Sequence, residues 1–418
     1  MSARLLVPFV LLVLFVQSSG WAEEKVETYP DGKKKRSYAV NAEGLKNGPY
    51  KEFDPNGKLS TQAVYRGDKL HGLLKHFDAN GRLQSQENYR AGKLHGVRQE
   101  FAGGRMVKDE VWLAGELLVP RSAAILTAEL KAIQSLPIQT VGETPRVNAK
   151  VRAAVEDTRL QGQREVALRV LMAYRCVCGV PYRDLALDRS YIAHTEAASD
   201  LLTRLNEMTH TPENPGMPDD EYRLAAKGAG SSNLYSAAGM VDAVKSFMDD
   251  SDAGNIDRLG HRRWCLNPAM AKTGFGAGGK YTAMWSMDHS RSEVPDYEFV
   301  AFPPRGLTPT TCFRDRFAWS LSLNPKRFQP PSQEQVKVRV YPVRYQPGQG
   351  LLEKAKQPLE LDCFRVSLGG FGISNCIIFR PANFKVIPGG SYWVEITGLI
   401  DNSGQEAKIA YLVAFAAI

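Results

Sequence analysis

His210 and His261 are the residues whose type and surroundings point most directly to chemistry in this chain. Two neutral imidazoles brought into one cavity can bind a divalent ion, hydrogen-bond a ligand or pass protons. Around them stand Asn233, the carboxylates Asp249, Asp250 and Asp252, and the string Gly260-His261-Arg262-Arg263-Trp264. Such a polar cluster satisfies itself internally, binds a ligand or metal, or does acid/base work, and binding is the favoured reading. Each residue also has a plainer role available. His210, beside Thr211 and Pro212, is placed to cap a helix end, and Asp250 precedes Gly254-Asn255 in the kind of acidic stretch that forms a solvated loop. Asn233 suits a backbone hydrogen bond that fixes a cleft wall. His194 suits a satisfied core position, and Arg262, Arg263 and Trp264 suit bracing, not catalysis.

The elements that must carry these residues are mostly helical. Ala123 to Ser135 reads as a short helix, and Leu136 to Val147, with Pro137, Gly142 and Pro145, reads as a linker. From Arg164, the residues Val166, Leu168, Val170, Leu171 and Tyr174 make an apolar helical face that ends near Gly179-Val180-Pro181. A second helix begins at the N-cap candidate Asp188. Its face carries Tyr191, His194, Ala198, Leu201, Leu205 and Met208 at three- and four-residue steps. A third begins at Ser236 and aligns Met240, Val241, Val244, Phe247 and Met248. Alternation then predicts neighbouring strands over Thr273 to Gly278 and Tyr281 to Met287.

A set of short strings in this order carries a family likeness. They are Ala167-Leu168 through Tyr174-Arg175 ahead of Gly179-Val180, then Met208-Thr209-His210-Thr211, Ser232-Asn233-Leu234, Gly260-His261-Arg262-Arg263 with Asn267-Pro268, and Thr273-Gly274-Phe275-Gly276. Residues 155–295, which contain them, resemble the CAP superfamily (cysteine-rich secretory, antigen-like and pathogenesis-related proteins). The resemblance implies an α-β-α sandwich whose central cleft is lined by two histidines and two acids. The histidines map to His210 and His261. The first acid's place, just before Asn233, holds Ser232. The second acid lies three residues after Phe247, at Asp250, with Asp249 as the fallback. His210, His261 and Asp250 are then candidate ligands for a divalent ion such as zinc with an open position. With a hydroxyl at Ser232 the metal should bind weakly or not at all, because a serine is a poor ligand and cannot be the general base a carboxylate would be.

The first third of the chain repeats. Asn47-Gly48-Pro49-Tyr50-Lys51-Glu52-Phe53 aligns with His71 to Phe77 and with His95 to Phe101, a period of 24 residues. Asn56-Gly57 and Asn80-Gly81 recur as hairpin signals, since both residues of such a turn must accept positive φ. Each unit is expected to be one hairpin, and stacked copies to form a sheet with Phe53, Phe77 and Phe101 in register. This stretch resembles MORN-type repeats, which implies lipid or protein contact and no chemistry of its own. From about Asp296 onward, short alternating segments between Gly/Pro turns predict six or seven strands of an immunoglobulin-like sandwich.

The expected architecture is therefore α+β and multidomain: a signal peptide at 1–22, a β-hairpin repeat array at 23–119, a helix and linker at 120–154, a CAP-like α-β-α sandwich at 155–295 and a β-sandwich at 296–418. Arg4 with the apolar run Leu5 to Val16 and the box Gly20-Trp21-Ala22 carries the secretory reading, periplasmic or extracellular. No later run reaches the length of a membrane-spanning helix. The formal net charge of +8 is spread along the chain. It favours acidic surfaces such as anionic lipid or a cell-envelope component, and no aromatic-basic nucleic-acid module stands out. Six cysteines in an exported chain suggest disulfides, first between Cys363 and Cys376, which flank the turn at Gly369 to Gly372. Cys176-Val177-Cys178 is too tightly spaced for a structural zinc pair.

The favoured function is a secreted, non-enzymatic protein. Its cleft, lined by His210, His261, Asp250, Ser232 and Asn233, takes a small apolar or lipid-like ligand or a divalent ion, and the repeats and the C-terminal sandwich supply contact with the cell surface or a partner. The alternatives are a metal-assisted hydrolase of peptide or envelope polymer, and a purely structural adhesion protein.

Overall fold

In the computed structural model, which describes residues 23–346 and 351–418, the 24-residue period becomes an antiparallel sheet. The secretory segment read at 1–22 lies outside the described residues. Ten strands between Glu24 and Val119 pair essentially in chain order, with Lys69–Leu70 off the main path. The turns differ from expectation. Asn56 does not take positive φ; Gly57 does (φ 85°), and the Asp54 carboxylate accepts the N–H groups of Asn56 and Lys58 at 2.9 and 2.8 Å. That side-chain clamp replaces a left-handed asparagine. Tight turns with two left-handed residues recur at the opposite end of the hairpins, at Gly67-Asp68 (φ 56° and 59°), Ala91-Gly92 (51° and 81°) and Ala114-Gly115 (52° and 93°), and one more, Gly103-Gly104 (58° and 78°), stands where the third unit has no Asn-Gly. The buried face also differs. Phe53, Phe77 and Phe101 are only half-buried, while Tyr38, Tyr50 and Tyr65 form a ladder with ring centroids 6.1 and 5.4 Å apart over the buried Ala63.

The chain divides into two units, one ending at Lys108 and including Trp112–Glu116, the other formed by Asp109–Val111 and Leu117–Ile418. The second contains seven α-helices among the described residues: α1 Ala123–Ser135, α2 Ala149–Glu156, α3 Thr158–Val177, α4 Arg189–Leu205, α5 Asp219–Gly230, α6 Met240–Asp249 and α7 Gly260–Cys265. Their starts follow capping chemistry. Ser122, Asn148, Asp157 and Asp188 each accept a first-turn N–H through the side chain. Helix α4 stops where Asn206 turns left-handed (φ 51°), so Met208 falls outside its apolar face and is exposed. Helix α6 starts at Met240, not Ser236, because Gly239 (φ 144°) breaks the backbone there. Helices α2, α5 and α7 are additional to the expected elements.

Two three-stranded sheets sit among these helices. One pairs Thr140–Val141, Ala186–Asp188 and Lys272–Thr273 in parallel; the other pairs Ser232–Tyr235, Thr282–Trp285 and Phe275–Gly276 antiparallel. Helix α4 packs on α5 and on the second sheet. The approach is so close that a Cβ at Gly276 would stand 2.2 Å from the Thr195 backbone, and one at Gly228 would stand 2.0 Å from the His194 carbonyl. Only glycine permits either contact. Buried Arg164 locks the same layer, donating to Phe275 O at 3.1 Å, Ala154 O at 2.9 Å and Glu196 Oε1 at 2.6 Å.

Beyond Asp296 the chain forms a four-stranded sheet (Phe299–Phe302, Trp319–Leu323, Cys376–Pro381, Leu361–Ser367) and a five-stranded one (Gly306–Pro309, Glu406–Ala416, Ser391–Ile400, Lys337–Gln346, Leu351–Lys354). The two share an aromatic core in which Trp319 and Phe384 meet Tyr392 and Phe415. The expected Cys363–Cys376 bridge is corrected: all six cysteines are free. Sheet register is the reason. Cys376 lies opposite Ser367, whereas Cys363 lies opposite Arg380, so the thiols are offset by four residues along paired strands. At ~3.3 Å per residue that separation is far beyond disulfide reach.

Candidate ligand-binding cleft

The structure places His210, His261, Ser232 and Asn233 on the wall of one cleft of about 290 Å³. Three elements supply them. His210 lies in the segment between α4 and α5, Ser232 and Asn233 open a strand just after α5, and His261 stands in the first turn of α7.

Each imidazole is held by its Nδ1 edge. His261 Nδ1 lies 2.8 Å from Asp250 Oδ1, and His210 Nδ1 lies 3.0 Å from the Ala229 carbonyl. A carboxylate and a carbonyl accept, so both rings donate from Nδ1, and the neutral form of each has its lone pair on Nε2, at the opposite edge. Phe247, buried in α6, supports the His261 ring with centroids 5.4 Å apart. Asn233 Nδ2 donates to the His261 carbonyl at 3.0 Å and ties the strand to α7. Ser232 Oγ is buried and has no hydrogen-bond partner.

Asp250 ends α6 in a left-handed conformation (φ 47°) and is 3% exposed. Its Oδ1 holds His261, and its Oδ2 accepts the Arg262 backbone N–H at 3.2 Å. Both Asp250 oxygens thus already accept a hydrogen bond, and in this arrangement the carboxylate orients a histidine. The fallback Asp249 turns away to an ion pair with Arg316. Asp252 serves its own loop. Burial alone would raise its carboxyl, but hydrogen bonds from Asn255 and Gly254 hold it below the usual carboxylate range. Among the described residues no three His, Cys, Asp or Glu side chains converge on a metal position. Two imidazole nitrogens fall short of the three or four protein ligands a zinc site uses, so this donor set does not fit a resident zinc.

Arg262 and Arg263 brace the cleft from beneath, and they do so through the C-terminal sheets. Arg262, fully buried, donates Nε to Met248 O at 2.8 Å and Nη1 to Ala318 O at 2.6 Å. Arg263 donates Nε to Ile373 O at 2.7 Å and Nη1 to Ser367 Oγ at 2.9 Å. Burial depresses both guanidinium pKa values, yet each finds carbonyl or hydroxyl acceptors.

Sequence reading did not find Phe371. This ring, 110 residues after His261 in the chain, lines the same cleft. The Arg263 guanidinium lies over it at 5.1 Å. A Cβ at Gly260 would meet it at 3.0 Å, and one at Gly372 would meet Trp264 at 2.7 Å. Glycine at both positions lets the 368–373 loop press against α7. Trp264 and Met287 add further apolar wall, while Asn255 and Arg258, hydrogen-bonded at 3.1 Å, give a polar rim. The glycines flanking Phe371 were visible in the sequence, but nothing local linked them to α7.

No helix among the described residues is long and apolar enough to cross a membrane. No curated protein and no solved structure matches the chain. Residues 46–66 and 70–91 match the MORN repeat variant family, a match within the hairpin array that does not extend to the cleft.

Proposed function

We propose that this is an exported binding protein in which residues 155–295 form a CAP-like domain, residues 296–418 an immunoglobulin-like sandwich, and the cleft between His210 and His261 takes a small lipid-like molecule with a hydroxyl at its polar end. One observation carries the reading. Both rings have Nδ1 anchored and Nε2 left as an acceptor beside an apolar wall of Trp264, Met287 and Phe371. A ligand hydroxyl donates to an Nε2 lone pair while its chain covers the rings, in line with the mostly apolar, sparsely polar character of ligand pockets. Hydrolysis finds less support: Asp250 is committed to His261 and Arg262, and Ser232 replaces the other acid, so no free carboxylate stands ready as a base. The repeat array then serves contact with protein or an anionic lipid surface.

The test is calorimetric titration of 1-decanol and, separately, of zinc into the full exported chain and its His261→Phe variant, with mass spectrometry of lipids extracted from the purified protein. Decanol binding that weakens about tenfold on loss of the Nε2 acceptor supports the reading. Equal decanol affinity in both proteins sinks it, and tight stoichiometric zinc binding lost in the variant favours a divalent ion as the occupant.

A further inference from the structure

A larger hollow, of about 720 Å³, lies where the end of α3 and the loop through Asp184 face Pro120, Arg121 and the segment from Glu298 to Arg305. The volume falls inside the roughly 300–1,000 Å³ of small-molecule pockets. Four arginines line it, and two of them are spent on structure. Arg121 gives Nη2 to the α3 carbonyls of Cys176 and Val177 at 2.7 and 3.2 Å and Nη1 to Glu129 at 2.7 Å. Arg291 is taken up by Pro268 O at 2.9 Å, Met270 O at 3.0 Å and the Asp184 carboxylate.

The other two keep donors in reserve. Arg183 is 62% exposed in its side chain, stacks on the Tyr182 ring at 5.2 Å and makes a loose 3.8 Å ion pair with Glu129. Arg305 stacks on Phe299 at 4.8 Å and pairs through Nη2 with Glu298 at 3.0 Å, but its buried Nε has no partner. The buried Tyr182 hydroxyl has no nitrogen or oxygen partner either; a thiol, that of Cys176, is its polar neighbour, and thiols are weak acceptors. Buried donors without acceptors are costly and scarce in native proteins. Here two belong to residues that line one cavity, Tyr182 and Arg305, and the rest of its wall includes Val180, Pro181, Phe299, Ala301 and Pro304.

We infer that this cavity is a second ligand site, separate from the histidine cleft, for a small amphipath ending in a carboxylate. The guanidiniums can only donate and the Tyr182 hydroxyl has a hydrogen to give, so together they call for an accepting group; the guanidinium fork matches the two oxygens of a carboxylate, and the charge-assisted bonds are strong ones. The apolar body lies against Phe299 and the proline-rich wall. The two sites thus differ in polarity: one offers ring lone pairs to a hydroxyl, the other offers N–H and O–H groups to an acid.

Calorimetric titration of decanoate, 1-decanol and inorganic phosphate into the full chain carrying His261→Phe tests this with the cleft disabled. Decanoate is expected to bind, and decanol and phosphate to bind at least about tenfold more weakly. Arg305→Met weakens decanoate about tenfold, whereas Glu298→Gln, which frees Nη2, tightens it. Arg183→Met, at an exposed side chain that leaves folding intact, weakens it several-fold and carries the test should Arg305→Met fail to fold. No decanoate binding at millimolar concentration, affinity unchanged in Arg183→Met and Glu298→Gln, or phosphate matching decanoate would each overturn the inference.

Discussion

Asp250 stands directly behind His261, with Oδ1 on the imidazole Nδ1 at 2.8 Å and Oδ2 on the Arg262 backbone N–H at 3.2 Å. One buried carboxylate thus fixes both the ring and the helix turn that carries it, the same support that orients histidines at ligand sites generally. Asn at this position tolerates the left-handed backbone as well as Asp does, but it brings only one accepting oxygen. Asp250→Asn should cost about 1–2 kcal/mol in urea unfolding and weaken decanol binding several-fold. Wild-type values in both measurements would show that the carboxylate does not set the ring.

Phe371 reaches the cleft from the four-stranded sheet side of the molecule and covers α7 at Gly260. Phe371→Ala removes an apolar wall without touching either histidine. Decanol affinity should drop several-fold, and longer-chain alcohols should lose part of their advantage over shorter ones. An unchanged chain-length series would mean the ligand does not reach this loop.

The Arg164–Glu196 pair, 2.6 Å apart with both side chains buried, holds α3 to α4. Removing one member leaves the other charged and uncompensated. Arg164→Met is therefore expected to lower stability by about 3–5 kcal/mol, read from denaturant midpoints, a far larger loss than the surface pair Arg344–Glu353 would give.

Burial holds the His194 imidazole below its ordinary pKa, with Lys227 adding to the effect and the Ser190 carbonyl and Asp188 opposing it. The folded protein prefers the neutral ring, so stability is complete above the unfolded value of about 6.5 and falls as pH drops through that value toward the lower folded one. His194→Gln should flatten the stability curve as pH falls below about 6.5. Should both proteins lose stability in parallel over that interval, the acid sensitivity belongs to other groups.

Burial also pushes the Cys312 thiol up to about 11, and it raises the other five thiols as well. At pH 8 the native protein should react slowly with a thiol reagent, and in denaturant without reductant it should show all six. Fewer than six would mean that a bridge forms in the mature protein.

Part of the helical frame was legible where capping residues and three-to-four spacing agree: α1 matches its expected span, and α4 begins after Asp188 as read, whereas α3 starts at Thr158 behind its cap Asp157, six residues before Arg164. Helix α5 was missed although it opens with Asp219, Asp220 and Glu221, an acidic first turn suited to the helix dipole. Its Gly228 and Gly230 look like breakers in one dimension, but Gly228 is required where α4 crosses. The strands at Phe275 and Thr282 are shorter than alternation suggested, because glycines that admit α4 also interrupt the ladder. Within the cleft, His210, His261 and Asn233 could be named from local context, and Ser232 from the CAP resemblance. Asp250's orienting part and the presence of Phe371 could not, since one depends on a left-handed helix end and the other on contact across more than a hundred residues of chain. The Cys363–Cys376 expectation failed for a related reason: closeness in sequence across a turn does not determine the register of the strands that follow.

The left-handed pairs at Gly67-Asp68, Ala91-Gly92 and Ala114-Gly115 recur along one border of the hairpin sheet. Because each unit closes on itself with the same local geometry, inserting or deleting a whole copy would leave every neighbouring strand pairing intact. Copy number therefore acts as a ruler: whole hairpins add to or subtract from the width of this sheet in fixed steps.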